Sequence, residues 1–339
     1  MRTPRAVALF SGGLDSTLAI LVMASHGVEV EAIKFLTHFG CDISDTSSCG
    51  SNPFPAAEKF GFNIRLSHLG WKFVDIVKSP KYGHGKNMNP CIDCRLLMLR
   101  EAGFYREIIG ADFVITGEVV GQRPKSQMRH TMNMVDRECG LEGRLVRPLS
   151  GRLLPPTIPE KEGLIRREWL LDINGRSRQR QMELAAEFGL ETYPSPAAGC
   201  LLTDKYYSKK VRDLFTHADD FDFNDLNLLN VGRQFRINDR AKLIVGRNEN
   251  ENDAIAGLAK VDDLLLEVKD AGSPISLLRG RFVDSDLEAA AAITARYSDQ
   301  KHQDLVAVDV QKVNPPDEKN GRKITVKPAD DSMLERYRI

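Results

Sequence analysis

The hexapeptide Ser11-Gly-Gly-Leu-Asp-Ser16 follows the apolar run Ala6–Phe10 directly and precedes the apolar, helix-periodic stretch Thr17–Ala24 directly. That order reads as a strand, a tight turn and a helix. Two adjacent glycines let the backbone turn without a Cβ in the way, so successive N–H groups converge on one point. The helix that follows adds its positive N-terminal end, and Ser11, Ser16 and Thr17 add hydroxyls, so an anion fits there. Asp15 constrains the reading further. A carboxylate beside a bound phosphate is repelled unless a cation lies between them, which favours Mg²⁺ shared by Asp15 and the phosphates. A plain strand-to-helix turn capped by Asp15 and Ser16 is the competing reading.

The first half of the chain repeats that alternation. Strand-like runs at Ala6–Phe10, Val28–Leu36, Asn63–Leu66 and Phe113–Thr116 are separated by helical stretches at Ser16–Ser25, Pro55–Phe60 and Asp93–Ile109, with another helix at Arg176–Phe188. Such alternation predicts an α/β fold: a parallel sheet with helices on both faces and ligands at the carboxyl ends of the strands. An acidic, weakly patterned stretch, 217–229, reads as a linker. Beyond it, short strands are predicted at Gly232–Ile237, Ala241–Val245, Leu264–Val268, Arg281–Val283 and Leu305–Val310, with helices at Asp253–Val261 and Asp284–Ser298, which makes a smaller α+β domain. The expected organisation is therefore 1–216, a linker at 217–229, and 230–339. Of the 339 residues, 42% are hydrophobic and 28% charged, and no apolar run reaches membrane-spanning length. With no signal peptide at the start, the expectation is a cytoplasmic protein with no membrane partner.

Six cysteines in a reducing compartment are ligands, nucleophiles or packed thiols before they are disulfides. Cys91-Ile-Asp-Cys94 opens a predicted helix, where thiolate is favoured, and Cys200 follows the turn-rich Pro194-Ser-Pro-Ala-Ala-Gly199. Three thiolates suit a metal centre with one open position. Zinc completed by Cys139 or a histidine, a redox pair, and buried bystanders are the alternatives. Cys41, Cys49 and Cys139 carry no assigned duty, and His38 has no clear role. Thirteen Lys/Arg against seven Asp/Glu between Gly121 and Arg180 would suit a polyanion or a solvated face equally.

Taken together, Ser11–Ser16, Thr116-Gly-Glu-Val-Val-Gly-Gln122 with Ser126-Gln127, Leu145-Val-Arg-Pro-Leu149 and the Cys91, Cys94 and Cys200 set resemble the PP-loop ATP pyrophosphatases that thiolate tRNA, and the catalytic domain of the tRNA 4-thiouridine synthetases most closely. The hexapeptide lacks the Gly-Lys-Ser/Thr ending of a Walker loop. The resemblance covers about residues 1–215 and implies an adenine nucleotide alpha hydrolase-like sheet. It implies that Ser11, Gly12, Gly13, Asp15, Ser16 and Thr17 bind ATP and Mg²⁺, and that Gly117, Glu118, Gly121 and Gln122 line the nucleotide and uridine pocket. It further implies that Cys91, Cys94 and Cys200 hold a [4Fe–4S] cluster with one iron free for sulfide, the alternative being zinc or no metal. The implied reaction is adenylation of a uridine carbonyl with release of pyrophosphate, followed by displacement of AMP by sulfur, with Asp15 and the three cysteines as its catalytic residues.

The N-terminal RNA-binding region usual in the 4-thiouridine enzymes and a rhodanese-like tail are both expected to be missing. Iron-bound hydrosulfide is then the simpler sulfur source, with a persulfide on Cys200, resolved by Cys91 or Cys94, as the runner-up. The donor is sulfide or a cysteine desulfurase. From about Asn230 onward, Asp239–Arg247, Asn250-Glu-Asn252 and Asp270–Ser276 resemble the RNA-binding domain of the NFACT proteins. That resemblance implies tRNA binding through the Asp270–Ser276 amides and Arg240, Lys242, Arg247, Arg279 and Arg281; a domain that only braces the first, or makes a homodimer, would read much the same. A PP-loop ligase or sulfurtransferase acting on a small molecule is the rival from another substrate class.

Overall fold

The computed structural model describes residues 2–40, 52, 54–193, 200–218, 220–313 and 321–339. The chain divides into two units, Met1–Thr203 and Asp204–Ile339. Among the described residues no helix is long and apolar enough to cross a membrane.

In the first unit, β1 (Arg5–Leu9), α1 (Leu14–Ala24), β2 (Glu29–Leu36), α2 (Phe54–Phe60), β3 (Asn63–His68), α3 (Gly70–Lys78), α4 (Cys91–Ile108), β4 (Phe113–Thr116), α5 (Arg129–Glu138), β5 (Leu145–Val146), α6 (Ile158–Lys161) and α7 (Gln179–Glu187) follow one another. The sheet has the order β3-β2-β1-β4-β5, every pair parallel. Its central strands are buried on both faces, which is why they read as continuous apolar runs. Ala6, Ala8 and Ile115 pack with α1 and α7 on one face, while Val7, Leu9 and Val114 pack with Leu96 and Leu99 of α4 and Val135 of α5 on the other. The expected parallel α/β architecture is thus the one found. Chain order reverses between β1 and β4, so the loops after these two strands flank the crevice where such sheets bind ligands.

The second unit contains α8 (Lys205–His217), α9 (Phe223–Leu228), β6 (Arg233–Asn238), β7 (Ala241–Val245), α10 (Glu249–Gly257), β8 (Leu264–Glu267), β9 (Ser276–Gly280), α11 (Asp284–Arg296), β10 (Val306–Lys312), β11 (Arg322–Val326) and α12 (Asp331–Tyr337). Its antiparallel sheet, β11-β10-β8-β9-β7-β6, buries one face against α11 and the other against Leu228 of α9 and Ile255 of α10. The strand expected at Arg281–Val283 is instead β9, a few residues earlier. Leu277 and Leu278 face opposite cores, so β9 shows no alternation, and Val283 serves as the N-cap of α11.

The division at Thr203 places α8 in the second unit for an electrostatic reason. Arg236, Lys242 and Arg279 stand abreast on neighbouring strands, where like charges repel. Asp213 of α8 meets Arg236 at 2.6 Å and Lys242 at 3.2 Å, and Asp225 of α9 meets Arg279 at 2.7 Å. Within 217–229, α9 is a helix capped by Asp222.

Candidate functional site

After β1, Phe10 is still bonded to β2, with its N–H donating to Ile33 O at 2.9 Å, and the chain then turns at Gly12, whose φ of +78° is strained for any residue with a Cβ. Gly13 is the N-cap of α1, and no side chain caps this helix start. Its first amides are therefore left for a ligand, as at other anion-binding helix ends. The hydroxyls brace the turn. Ser16 Oγ and Thr17 Oγ1 donate to Gly13 O at 2.9 and 3.1 Å, while Ser11 N and Gly13 N donate to Ser16 Oγ and Ser11 Oγ at 3.3 Å each. Ser16 and Thr17, read from sequence as phosphate donors, thus hold the cradle's shape.

The loop after β4 closes on this cradle from the other strand. A Cβ on Gly117 would lie 2.6 Å from the Asp15 carbonyl group and the Ser16 nitrogen, so β4 meets the first turn of α1 backbone to backbone. Gln122 Nε2 donates to Asp15 Oδ2 at 3.1 Å. Asp15 Oδ1 is buried and has no hydrogen-bond partner. An orphaned carboxylate oxygen is costly unless a cation or donor arrives, so the site fits Mg²⁺, with Asp15 as the residue that would hold it. The 117–122 loop is itself fixed from behind, because Ser150 Oγ accepts from Val120 N at 3.0 Å and donates to Ile173 O at 2.6 Å.

Glu118, expected to line the pocket, is 2% exposed and faces the interior. Its Oε2 accepts from Arg147 Nε at 3.0 Å and from Thr116 Oγ1 at 3.1 Å, and its Oε1 lies 3.3 Å from Arg95 Nε. Burial would push this carboxyl up, but the Arg95 and Arg147 guanidiniums override it and hold it below the ordinary range. Arg147 continues the chain of charges, forking onto Asp136 of α5 at 2.6 and 2.8 Å. It is therefore an interior residue of a network, not part of a polyanion surface. Arg167 and Arg180 of the same basic stretch are likewise paired, with Glu160 and with Glu183 and Glu187.

Cys91 and Cys94 occupy the first turn of α4, one step before Arg95. Cys91 is exposed, yet the packing around its sulfur pushes its thiol up against the pull of Arg123, Arg95 and Lys125, so the thiolate expected from a helix end is not favoured there. Cys200 is tied to the same region: Leu202 O accepts from Met88 N at 3.0 Å, and Thr203 O from Asn87 Nδ2 at 2.7 Å, just upstream of Cys91. Even so, among the described residues no group of three or more His, Cys, Asp or Glu is placed to hold a metal ion. The three sulfurs have the right chemistry and a shared neighbourhood without a closed ligand set. Cys139 is buried in the core under α4 and takes no part. Cys41, Cys49 and the Pro194–Gly199 approach to Cys200 lie outside the described residues. Sequence reasoning missed Arg95, although its place directly after Cys94 was a visible signal, and Asp136, which carried none.

In the second unit, most of the cations expected to meet RNA are committed. Lys242 is buried against Asp213, and burial pushes its amine down to about 8; Arg279 is held by Asp263 and Asp225, and Arg247 by Glu251 at 2.5 Å. The Asp270–Ser276 loop is no open amide nest either. Asp299 packs its carboxylate against Gly272, and the Ile275 amide donates to Asn252 Oδ1 at 3.0 Å. Arg240 and Arg281 remain exposed.

An all-parallel sheet whose glycine turn sits at the switch point, with an aspartate gripped between the loops after β1 and β4, is an α/β domain with the PP-loop type of fold. Residues 2–152 match the family model described as thiamine biosynthesis protein (ThiI), and residues 232–338 match the NFACT protein RNA binding domain. The chain thus joins a domain resembling the tRNA-thiolating PP-loop proteins to an NFACT-type domain. It is 33% identical over 120 residues to a "Probable tRNA sulfurtransferase" of Lysinibacillus sphaericus, covering 35% of this chain and 28% of that one. A protein of the same description from Thermococcus kodakarensis is 27% identical over 156 residues, covering 43% and 37%. The chain therefore spans about a third of the length of these relatives. Among solved structures, the U34-tRNA thiolase of Methanococcus maripaludis with its [4Fe–4S] cluster aligns with a TM-score of 0.35 at 14% identity, covering 63% of this chain and 66% of that one.

Proposed function

We propose that this protein is an ATP-dependent tRNA sulfurtransferase that forms AMP and pyrophosphate. The observation that carries the reading is Asp15, clamped by Gly117 and Gln122 at the mouth of an uncapped helix with one oxygen unsatisfied. Triphosphate lies over Ser11–Thr17, where the α1 amides absorb charge, and Asp15 is the residue that would hold a Mg²⁺ to neutralise more of it. The uridine carbonyl oxygen attacks the α-phosphorus, the P–O bond to pyrophosphate breaks, and the base carries AMP as a leaving group. A sulfur nucleophile then adds at that carbon and AMP departs with the original oxygen. The target base has to leave its stack to reach the crevice, which an unpaired tRNA position makes easier.

Cys91, Cys94 and Cys200 are the residues that would hold a [4Fe–4S] cluster, whose three-thiolate ligation leaves one iron able to carry sulfide. Among the described residues the three are not gathered into a metal site. A persulfide on Cys200 is the second route to sulfur transfer: its outer sulfur attacks the activated carbon, and Cys91 or Cys94 then forms a disulfide with Cys200 as the outer sulfur leaves to the base. The NFACT-type domain supplies tRNA contact, with Arg240 and Arg281 as its exposed cations. Mass spectrometry of tRNA nucleosides from cells with and without the gene tests the proposal: loss of one thiouridine species is expected, and an unchanged thionucleoside profile refutes tRNA thiolation.

A further inference from the structure

Glu118 and Arg95 form a contact that the proposed chemistry does not use. Both side chains are largely buried, at 3% and 22% exposure. A buried ion pair adds little stability over apolar side chains of the same volume, and where one persists its clearest use is to fix a particular arrangement. Here the arrangement joins two pieces of the site. Glu118 lies between Gly117 and Gln122, the two residues that close on Asp15, and its carboxylate points away from the crevice to Arg95, the residue after Cys94. Behind it, Thr116 of β4 and Arg147, just after β5 and itself held by Asp136 of α5, anchor the carboxylate, so Glu118 is the rigid member and the α4 turn is the one being placed.

We infer that Glu118 is a positioning residue: through Arg95 it locks the turn bearing Cys91 and Cys94 to the loop that closes on Asp15. A ligand that firms the 117–122 loop then also firms the cysteine turn. The inference rests on the nucleotide reading of Ser11–Ser16. Two consequences follow from the geometry. Arg95 touches no part of the cradle, so its removal leaves nucleotide affinity intact. Occupancy of the cradle, in contrast, shows itself at Cys91.

The test labels the reduced full-length chain with iodoacetamide and measures the rate at Cys91 and Cys94 by peptide mass spectrometry, with and without Mg²⁺ and a non-hydrolysable ATP analogue. In the unsubstituted protein the analogue should slow labelling of Cys91 by about fivefold or more, the lower end of coupling between two sites. In Arg95→Met the analogue should bind as before while the two labelling rates become equal, and Arg95→Lys should restore part of the difference. Glu118→Gln, which keeps the shape of the anchor, should behave like Arg95→Met. A nucleotide-dependent rate that survives in Arg95→Met overturns the inference, as does an unsubstituted protein that binds the analogue with no change at Cys91. Failure of the analogue to bind the unsubstituted protein overturns the nucleotide reading instead.

Discussion

Replacing Gly117 with alanine tests the cradle through a single methyl group. The added Cβ would stand 2.6 Å from the Asp15 carbon and oxygen and from Ser16 N, all of them backbone atoms that no rotamer change can move aside. Ordinary carbon contacts need about 3.5 Å, so β4 and the first turn of α1 must separate by close to 1 Å. Overpacking of this kind costs about 1–3 kcal/mol of stability, which for a unit of roughly 200 residues lowers its melting temperature by about 2–4 °C per kcal/mol. The chemical effect should be larger. Displacing a reacting phosphate by about 1 Å can cost on the order of 100-fold in rate, and Asp15 moves with the first turn of α1. Calorimetry and a coupled pyrophosphate assay would therefore show a modest thermal shift beside a rate loss of about two orders of magnitude. An alanine variant with unchanged melting and unchanged pyrophosphate release would refute the packing argument.

Two further expectations concern the second unit. Asp225 is held down to about 2 although burial alone would raise it, because Lys260, the Asp222 amide and Arg279 all favour its charged form. Its folded value lies below the ordinary one of 3.8, so the stability it adds is present above about pH 4 and is lost as pH falls through about 2. Acid titration followed by circular dichroism should show that loss, and Asp225→Asn should be less stable at neutral pH with a flatter acid limb. For RNA binding, the double variant Arg240→Glu and Arg281→Glu should weaken tRNA affinity and lower the slope of log affinity against log salt by about 2, one for each phosphate no longer neutralised. An unchanged slope would move RNA recognition to another surface.

The parallel sheet was legible because buried central strands write themselves as apolar runs, and the β1–α1 turn because two glycines and an aspartate at a strand end have few other uses. The strand at Ser276–Gly280 was not, since both of its faces are buried and period-two alternation vanishes. Helix Lys205–His217 was hidden for the opposite reason: its attachment to the sheet runs through Asp213, and a lone aspartate in a basic helix carries no signature of its partners. At the site, the family resemblance put Asp15, Glu118 and Gln122 on one list; the structure joins Gln122 to Asp15 by a hydrogen bond and turns Glu118 elsewhere, which the sequence could not show. The Glu118 side chain, between the two residues that contact Asp15, turns inward because Arg147 and Arg95 wait there, and neither lies near it in sequence.

The central claim is that the glycine turn after β1 binds ATP so that the α-phosphate is transferred to an oxygen on tRNA. Incubating the purified chain with Mg²⁺, sulfide, tRNA and ATP labelled at both the α- and the γ-phosphorus, and resolving every labelled product, tests it most directly. AMP and pyrophosphate should appear in equal amounts, only when tRNA is present, and Asp15→Asn should abolish both. Release of ADP and phosphate, or no tRNA-dependent product at all, would contradict it.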